Sequence, residues 1–96
     1  MYARLTTFTV KPEAVDQAEQ IGQGYEKVLH DLPGHVATTM IIAGDRLISF
    51  SVWDSEANAE AVTAGARDAA QRDLADILVG GPTTTIGRVS VHDVRR

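Results

Sequence analysis

The centre of the chain contains two strand-like segments that are separated only by Gly44-Asp45. Residues 35–43 are mostly apolar, and residues 46–53 alternate between two sets of side chains. A glycine at the first position of a two-residue loop is typical of a type II′ turn between antiparallel strands. An antiparallel hairpin is therefore predicted at the centre of the chain, and the rest of the fold must pack around it.

Each side of this hairpin is predicted to contribute one strand and one helix. Residues 2–10 are rich in the threonine, valine and aromatic side chains that strands favour, and residues 83–94 form the last strand. Apolar residues at helical spacing predict a first helix that begins at Pro12, a residue type suited to the first helical position, and ends at Pro33-Gly34.

The second helix completes the order of elements. It is predicted to begin at Ser55, a residue type that caps helices, and to extend to about Leu78, before the helix-breaking Gly80-Gly81-Pro82. The resulting order, β-α-β-β-α-β, is that of an α+β, ferredoxin-like split β-α-β fold, in which a four-stranded antiparallel sheet carries two helices on one face. A chain of 96 residues has room for a single domain, here residues 1–96.

Composition and charge exclude several classes of partner. The net charge is -4 and the basic residues are scattered, so no nucleic-acid partner is predicted. The chain contains no cysteine, which excludes disulfides, thiol nucleophiles and thiolate metal sites. No segment has the pattern of a signal peptide or the length of a membrane helix, so we expect a cytoplasmic protein without a membrane partner.

Both faces of the predicted sheet carry apolar side chains. If Ile48, Phe50 and Val52 face the helices, the apolar Leu47 and Trp53 point to the other side of the sheet. In the reverse assignment Ile48, Phe50 and Val52 are exposed instead, and they form the more apolar set. An uncovered apolar face of this kind marks an interface. A homodimer that associates through the sheet face is therefore predicted. The alternative is a monomer with an unusually apolar sheet.

Small residues at inward-facing helical positions allow two interpretations. Gly22 and Gly65 lie inside the predicted helices, where a glycine costs about 1 kcal/mol relative to alanine. They either allow the helices to pack closely on the sheet or leave a cavity between helix and sheet. The second interpretation predicts a mostly apolar pocket for a small aromatic or apolar ligand. The predicted substrate-binding residues are Gly22, Tyr25, Phe50, Val62, Gly65 and Ala66, with Trp53 and Ala69 beside them.

Three short motifs resemble those of a known family in their order and spacing. They are Lys11-Pro12-Glu13 at the start of the first helix, Pro33-Gly34 before the second strand, and Trp53-Asp54-Ser55-Glu56-Ala57 where the third strand meets the second helix. In these motifs the chain resembles the dimeric α/β-barrel superfamily, and within it the antibiotic-biosynthesis-monooxygenase-like domains. The resemblance implies two ferredoxin-like protomers whose sheets face each other, each with a ligand cavity between helices and sheet.

The resemblance also implies candidate activities. Members of the family include monooxygenases that oxidise aromatic polyketide-like substrates with O₂ and use no cofactor. A Trp and an Asn lie near the cavity in that branch, and Trp53 and Asn58 match them. The haem-degrading branch has an Asn on its first strand and a His on its second helix. Here the first strand carries Thr6 and Thr7 and no Asn, and the second helix contains no His, so haem degradation is disfavoured.

His35 completes the candidate catalytic set of His35, Trp53 and Asn58. If His35 points into a cavity, its near-neutral pKa suits a general base, and the alternative is a surface histidine beside a turn. His92 and Asp93 are adjacent on the predicted last strand, so they face opposite sides and form no dyad. The histidines lack the spacing of metal ligands, and neither a metal site nor a cofactor is predicted.

Two functions remain open at this point. The first is a cofactor-independent monooxygenase-like protein that acts on a small aromatic or polyketide-like substrate. The second is a non-catalytic small-molecule-binding or dimerisation module, because the sequence contains no recognisable convergent set of acid, base and anion-stabilising residues.

Overall fold

A computed structural model describes residues 1–95, except for the side chain of Arg67. The predicted order of elements is confirmed, with one additional 3₁₀ turn before the first helix. The elements are β1 (Tyr2–Thr9), the 3₁₀ turn (Pro12–Ala14), α1 (Val15–His30), β2 (His35–Ala43), β3 (Arg46–Trp53), α2 (Glu56–Asp73) and β4 (Thr83–Arg88).

The four strands form one antiparallel sheet in the order β2-β3-β1-β4. The first and third strands are therefore central, and the second and fourth are edges. Helix α1 packs mainly on β2 and β3, whereas α2 packs on β1, β3 and β4. This is the predicted α+β, ferredoxin-like arrangement. No helix within residues 1–95 is both long and apolar enough to cross a membrane.

The central hairpin has the bounds that the sequence predicted. Gly44 has a φ of +63°, and Asp45 does not have a positive φ, as a type II′ turn requires. A β-bulge shifts the register between His35 and Ala37. The bulge inserts one residue, Val36, which has no partner in the register of β2 with β3.

The second helix is shorter than predicted. The Ser55 side chain caps it, accepting a hydrogen bond of 3.2 Å from the backbone N–H of Asn58, as expected for an N-cap. The helix ends at Asp73, however, and not near Leu78. Leu78 instead forms an isolated antiparallel bridge with Val10, which ties the segment after α2 to the end of the first strand.

The last strand is also shorter than predicted, because the strand that it pairs with, β1, does not extend past Arg88. Strand β4 pairs only with β1, whose first residue, Tyr2, lies opposite Arg88. The backbone N–H of Val89 donates to the Met1 carbonyl, and no strand lies beside the chain beyond that point within the described residues. The prediction that His92 and Asp93 lie on this strand is wrong: both lie beyond its end.

The two faces of the sheet can be assigned from the register. Arg4, Thr6 and Ser51 lie on the helix-covered face and are 3%, 2% and 0% exposed. The opposite face, here called the open face, includes Leu5 and Phe50, which are 40% and 38% exposed. The set formed by Ile48, Phe50 and Val52 therefore points away from the helices, which is the second of the two assignments considered from the sequence.

The buried apolar side chains form two separate clusters. One joins the start of α1 to the end of α2 and includes Val10, Ala18 and Leu74. The other is centred on Trp53, which is fully buried against Ala59 and Val62. Both clusters lie on the helix-covered side of the sheet.

Candidate ligand-binding cavity

A cavity of about 500 Å³ lies between the two helices and the helix-covered face of the sheet. It borders both apolar clusters, touching Ala18 and Leu74 from one and Val62 from the other. Phe8, Met40 and Leu47 contribute its sheet wall. The cavity separates α1, which packs mainly on β2, from α2, which packs on β1, β3 and β4, and its walls are mostly apolar.

The two inward-facing glycines have different roles. A Cβ on Gly22 would lie 2.6 Å from Met40 Sδ, so this glycine permits close packing of α1 on the sheet. A Cβ on Gly65 would have no neighbour within 4 Å among the described atoms, although Gly65 lines the cavity. Both interpretations made from the sequence therefore apply, one to each helix, and Gly65 and Ala66 leave open volume.

Tyr25 connects the two helices beside the cavity. Its hydroxyl donates either to the Ala69 carbonyl, at 3.0 Å, or to Asp73 Oδ2, at 2.6 Å. Burial, and after it the hydrogen bond to Asp73, raise the pKa of the Tyr25 hydroxyl to about 12. The phenol is therefore neutral near pH 7, and it acts as a fixed strut between α1 and α2 rather than as a base.

Asn58 lines the cavity from the first turn of α2. Its Nδ2 donates to Asp54 Oδ1 at 2.8 Å, which fixes the side chain. Gly34 lies directly beneath this pair, with a φ of +80°, and a Cβ there would collide with Asp54 and Asn58. Glycine is needed at this turn for both its left-handed backbone and its size.

Arg4 is the principal residue that the sequence analysis missed. It lies in the middle of a central strand, lines the cavity, and is 3% exposed. Its Nε donates to Thr63 Oγ1 at 2.8 Å, and the Thr63 hydroxyl in turn donates to the Ala59 carbonyl at 3.3 Å. Burial lowers the pKa of the guanidinium below its ordinary value. The available signal was the alternation along the strand, which places Arg4 on the same face as the inward-facing Phe8 and Val10.

A smaller, more polar pocket of about 150 Å³ adjoins the main cavity. Arg4, Phe8 and Ala66 line both spaces. In the smaller pocket Thr6 and Thr84 face each other, with their hydroxyl oxygens 3.0 Å apart. Arg4 therefore lies where a large apolar space meets a small polar one.

The structure separates the predicted site residues into two groups. Gly22, Tyr25, Asn58, Val62, Gly65 and Ala66 all line the cavity. Phe50 does not, because it lies on the open face, and the prediction that it faces the pocket is wrong.

His35 and Trp53 lie beside the cavity wall without lining it. The Trp53 ring is fully buried and its Nε1 donates to Ser51 Oγ at 2.8 Å. The His35 ring packs edge-on against Trp53, with centroids 5.3 Å apart, and its Nε2 lies 2.6 Å from Thr38 Oγ1. Both side chains support the end of the sheet. His35 does not point into the cavity, which was the condition for a role as general base, and Trp53 does not line the cavity.

Comparison with known proteins supports the fold but identifies no sequence family. No family model matches the sequence, and the search of curated proteins gave no match. Among solved structures, a protein of unknown function from Nitrosomonas europaea, NE2512, matches with a TM-score of 0.86 and 14% identity, over 99% of this chain and 94% of the other.

The matching structures include monooxygenases. The monooxygenase ActVA-Orf6 of Streptomyces coelicolor, in complex with nanaomycin D, has a TM-score of 0.71 and 19% identity, over 99% of this chain and 92% of the other. SnoaB, a cofactor-independent oxygenase from Streptomyces nogalater, has a TM-score of 0.76 and 14% identity, over 95% and 94%. The resemblance seen in the sequence is thus confirmed at the level of the fold: the chain has a ferredoxin-like fold, which it shares with solved structures of antibiotic-biosynthesis monooxygenases.

Proposed function

We propose that this chain is a cofactor-independent monooxygenase-like protein that takes a small aromatic or polyketide-like substrate into the cavity between its helices and its sheet. The observation that carries the proposal is that cavity: about 500 Å³, mostly apolar, and walled by both helices. A cavity of this volume and character suits a planar apolar ligand. The fold shared with two oxygenases supports the assignment of the reaction class.

The proposed reaction needs a proton acceptor and an environment that favours an anion. A base removes a proton from an activated CH₂ group of the substrate, and the carbanion adds to O₂ to form a carbon–oxygen bond. Protonation gives a hydroperoxide, and loss of water leaves a carbonyl, so that CH₂ and O₂ become C=O and H₂O. The protein supplies position and charge stabilisation.

We propose particular residues of the cavity wall for these roles. Glu26 is the carboxylate among the described lining residues, so we propose it as the base in place of His35. The Asn58 side chain is held by Asp54 and is proposed to hydrogen-bond a substrate oxygen. Gly22, Tyr25, Val62, Gly65 and Ala66 are proposed to form the walls that bind the substrate.

We also propose that the chain works as a homodimer that associates through the open face. Leu5 and Phe50 are opposite each other in the register of β1 and β3, and Ile41, 49% exposed, lies on the same face. A contiguous apolar surface of this kind is typical of an interface. The ligand cavity lies on the other side of the sheet, so association leaves it accessible from the helices.

The test is O₂ consumption with an anthrone-type substrate. We expect turnover by the wild type, a loss of at least about tenfold in Glu26→Gln, as for removal of a general base, and a smaller loss in Asn58→Ala. The matched control is Glu60→Gln, which removes an exposed carboxylate of α2 that does not line the cavity. His35→Ala and Trp53→Phe are expected to change stability more than rate.

The same assay separates the two candidate functions. Binding of aromatic compounds without turnover across a varied panel would favour a small-molecule-binding module. Equal rates in the wild type and Glu26→Gln would refute the assignment of the base.

A further inference from the structure

Arg4 is a buried cation without a described anionic partner. The guanidinium lies under the helices on a central strand, and the residue is only 3% exposed. Among the side chains that the structure describes, the one ion pair within 4.0 Å joins Arg72 to Asp73, at the protein surface. A buried charge is costly unless another charge compensates it, so a site of this kind needs an explanation.

The hydrogen bonds of Arg4 leave part of its guanidinium available. Nε is used by Thr63, whose own hydroxyl proton is directed at the Ala59 carbonyl. The two terminal nitrogens make no hydrogen bond to the residues described here. Among those residues no fully buried side-chain nitrogen lacks a partner, so both nitrogens reach the open space of the cavity and the smaller pocket that Arg4 borders. Thr63 thus holds one edge of the guanidinium in place, and the two terminal nitrogens stay available to a ligand.

We propose that Arg4 binds the carboxylate of an aromatic ligand whose ring system occupies the apolar cavity. This inference rests on the proposed function and specifies its ligand class. The planar fork of an arginine matches the two oxygens of a carboxylate, and charge-assisted bonds of this type are the strong ones. The neighbouring hydroxyls of Thr6 and Thr84 provide a polar setting for the carboxylate. In a low-dielectric site the bound anion also compensates the buried cation.

The test compares two probes of nearly the same shape. 2-Naphthoate carries the carboxylate, whereas 2-naphthamide is its neutral counterpart. Binding of each to the wild type, Arg4→Met, Arg4→Lys and Arg88→Met is measured by calorimetry near neutral pH. Arg88 is an exposed arginine that does not line the cavity, so Arg88→Met controls for the loss of one positive charge.

We expect the wild type and Arg88→Met to bind naphthoate at least about tenfold more tightly than naphthamide, the size expected for a charge-assisted hydrogen bond. Arg4→Met loses this preference and retains its affinity for naphthamide. Arg4→Lys keeps the charge without the fork and retains only part of the preference.

Thermal unfolding provides a second readout. If Arg4 is there to bind a ligand, the ligand-free Arg4→Met protein has a Tm equal to or above that of the wild type, because an uncompensated buried charge has been removed. A clearly lower Tm would show that Arg4 serves the fold, and it would overturn the inference.

The possible failures are distinguishable. Equal affinity of the wild type for both probes, or an unchanged preference in Arg4→Met, overturns the role of Arg4 while the aromatic cavity stands. If neither probe binds any variant, the proposed ligand cavity fails, and the inference falls with it.

Discussion

The two faces of the sheet differ less in polarity than those of an ordinary half-covered antiparallel sheet. Such a sheet usually packs its apolar face against helices and presents a polar face to water. Here the helix-covered face places Arg4, Thr6 and Ser51 near its centre, and the open face places Leu5 and Phe50 there. The exposed apolar side chains of the open face are those that the proposed homodimer would cover.

The polar side chains under the helices cost little stability because their fully buried atoms are hydrogen-bonded. Ser51 accepts from the Trp53 indole, Thr63 accepts from Arg4, and no buried side-chain nitrogen or oxygen within the described residues lacks a partner. Burial of polar groups is inexpensive when they are hydrogen-bonded. The two faces thus correspond to the two proposed partners: a ligand on the covered side and a second copy of the chain on the open side.

The largest expected effect comes from placing a charge on the open face. Phe50→Asp is expected to weaken the homodimer by roughly 3–6 kcal/mol, because one aromatic side chain is lost from each of two symmetry-related patches. Sedimentation velocity at micromolar concentration measures the change, with a shift from dimer to monomer expected. Val79→Asp, at an exposed valine outside the sheet, is the control. A wild-type protein that is already monomeric under these conditions would contradict the proposed interface.

The next effect concerns the covered face. Thr63→Val removes the acceptor of Arg4 Nε and is expected to lower the free energy of unfolding by about 1–3 kcal/mol, the cost of leaving a buried donor without a partner. Thr7→Val, a change of the same chemistry on the open face of β1, is expected to change it by less than about 0.5 kcal/mol. Chemical denaturation at matched concentrations gives both values. Equal losses for the two variants would contradict the difference between the faces.

A pair of glycine substitutions compares the two helices over the covered face. Gly65→Ala is expected to raise the free energy of unfolding by about 1 kcal/mol through helix propensity, because the new methyl group meets open space. Gly22→Ala is expected to gain less or to lose stability, since its methyl group displaces Met40. Chemical denaturation of both variants tests this. An equal gain in stability at both sites would contradict the difference between open space at Gly65 and close packing at Gly22.

The smallest effect is a dependence on pH at the end of the covered face. Burial, and after it the nearby His30, lower the pKa of His35 below its ordinary value of about 6.5. The unfolded chain therefore takes up the proton more readily, so stability is complete above about pH 6.5 and falls as the pH decreases through that value. His35→Gln is expected to flatten this decline, whereas the exposed His92→Gln keeps it. Denaturation at several pH values measures how steeply the free energy of unfolding falls with pH. If it falls as steeply in His35→Gln as in the wild type, the account is refuted.

The fold was predictable because its strongest signals are local. The bounds of β2 and β3 follow from two apolar segments around one glycine turn, and the cap at Ser55 follows from its residue type. The ends of α2 and β4 were not predictable in the same way. Val89 and Val91, two residues apart, suggest a strand, but the strand ends at Arg88 because β1 begins opposite it.

The candidate site was predictable only in part, for a related reason. Helical spacing identified the wall residues Gly22, Tyr25, Val62 and Gly65, since an inward helix face is set by local periodicity. The face to which Phe50 points depends on how β3 pairs with both its neighbours. Arg4 was missed because an arginine in a strand is usually exposed, and only the tertiary structure shows that it is buried beneath α2.

The most direct test of the two-partner account is a crystal structure of the protein with 2-naphthoate. The account predicts the naphthyl ring between the helices and the sheet, the carboxylate at the Arg4 guanidinium, and a second copy of the chain covering Leu5, Ile41 and Phe50. A ligand bound on the open face, or an open face that remains exposed to solvent, would contradict it.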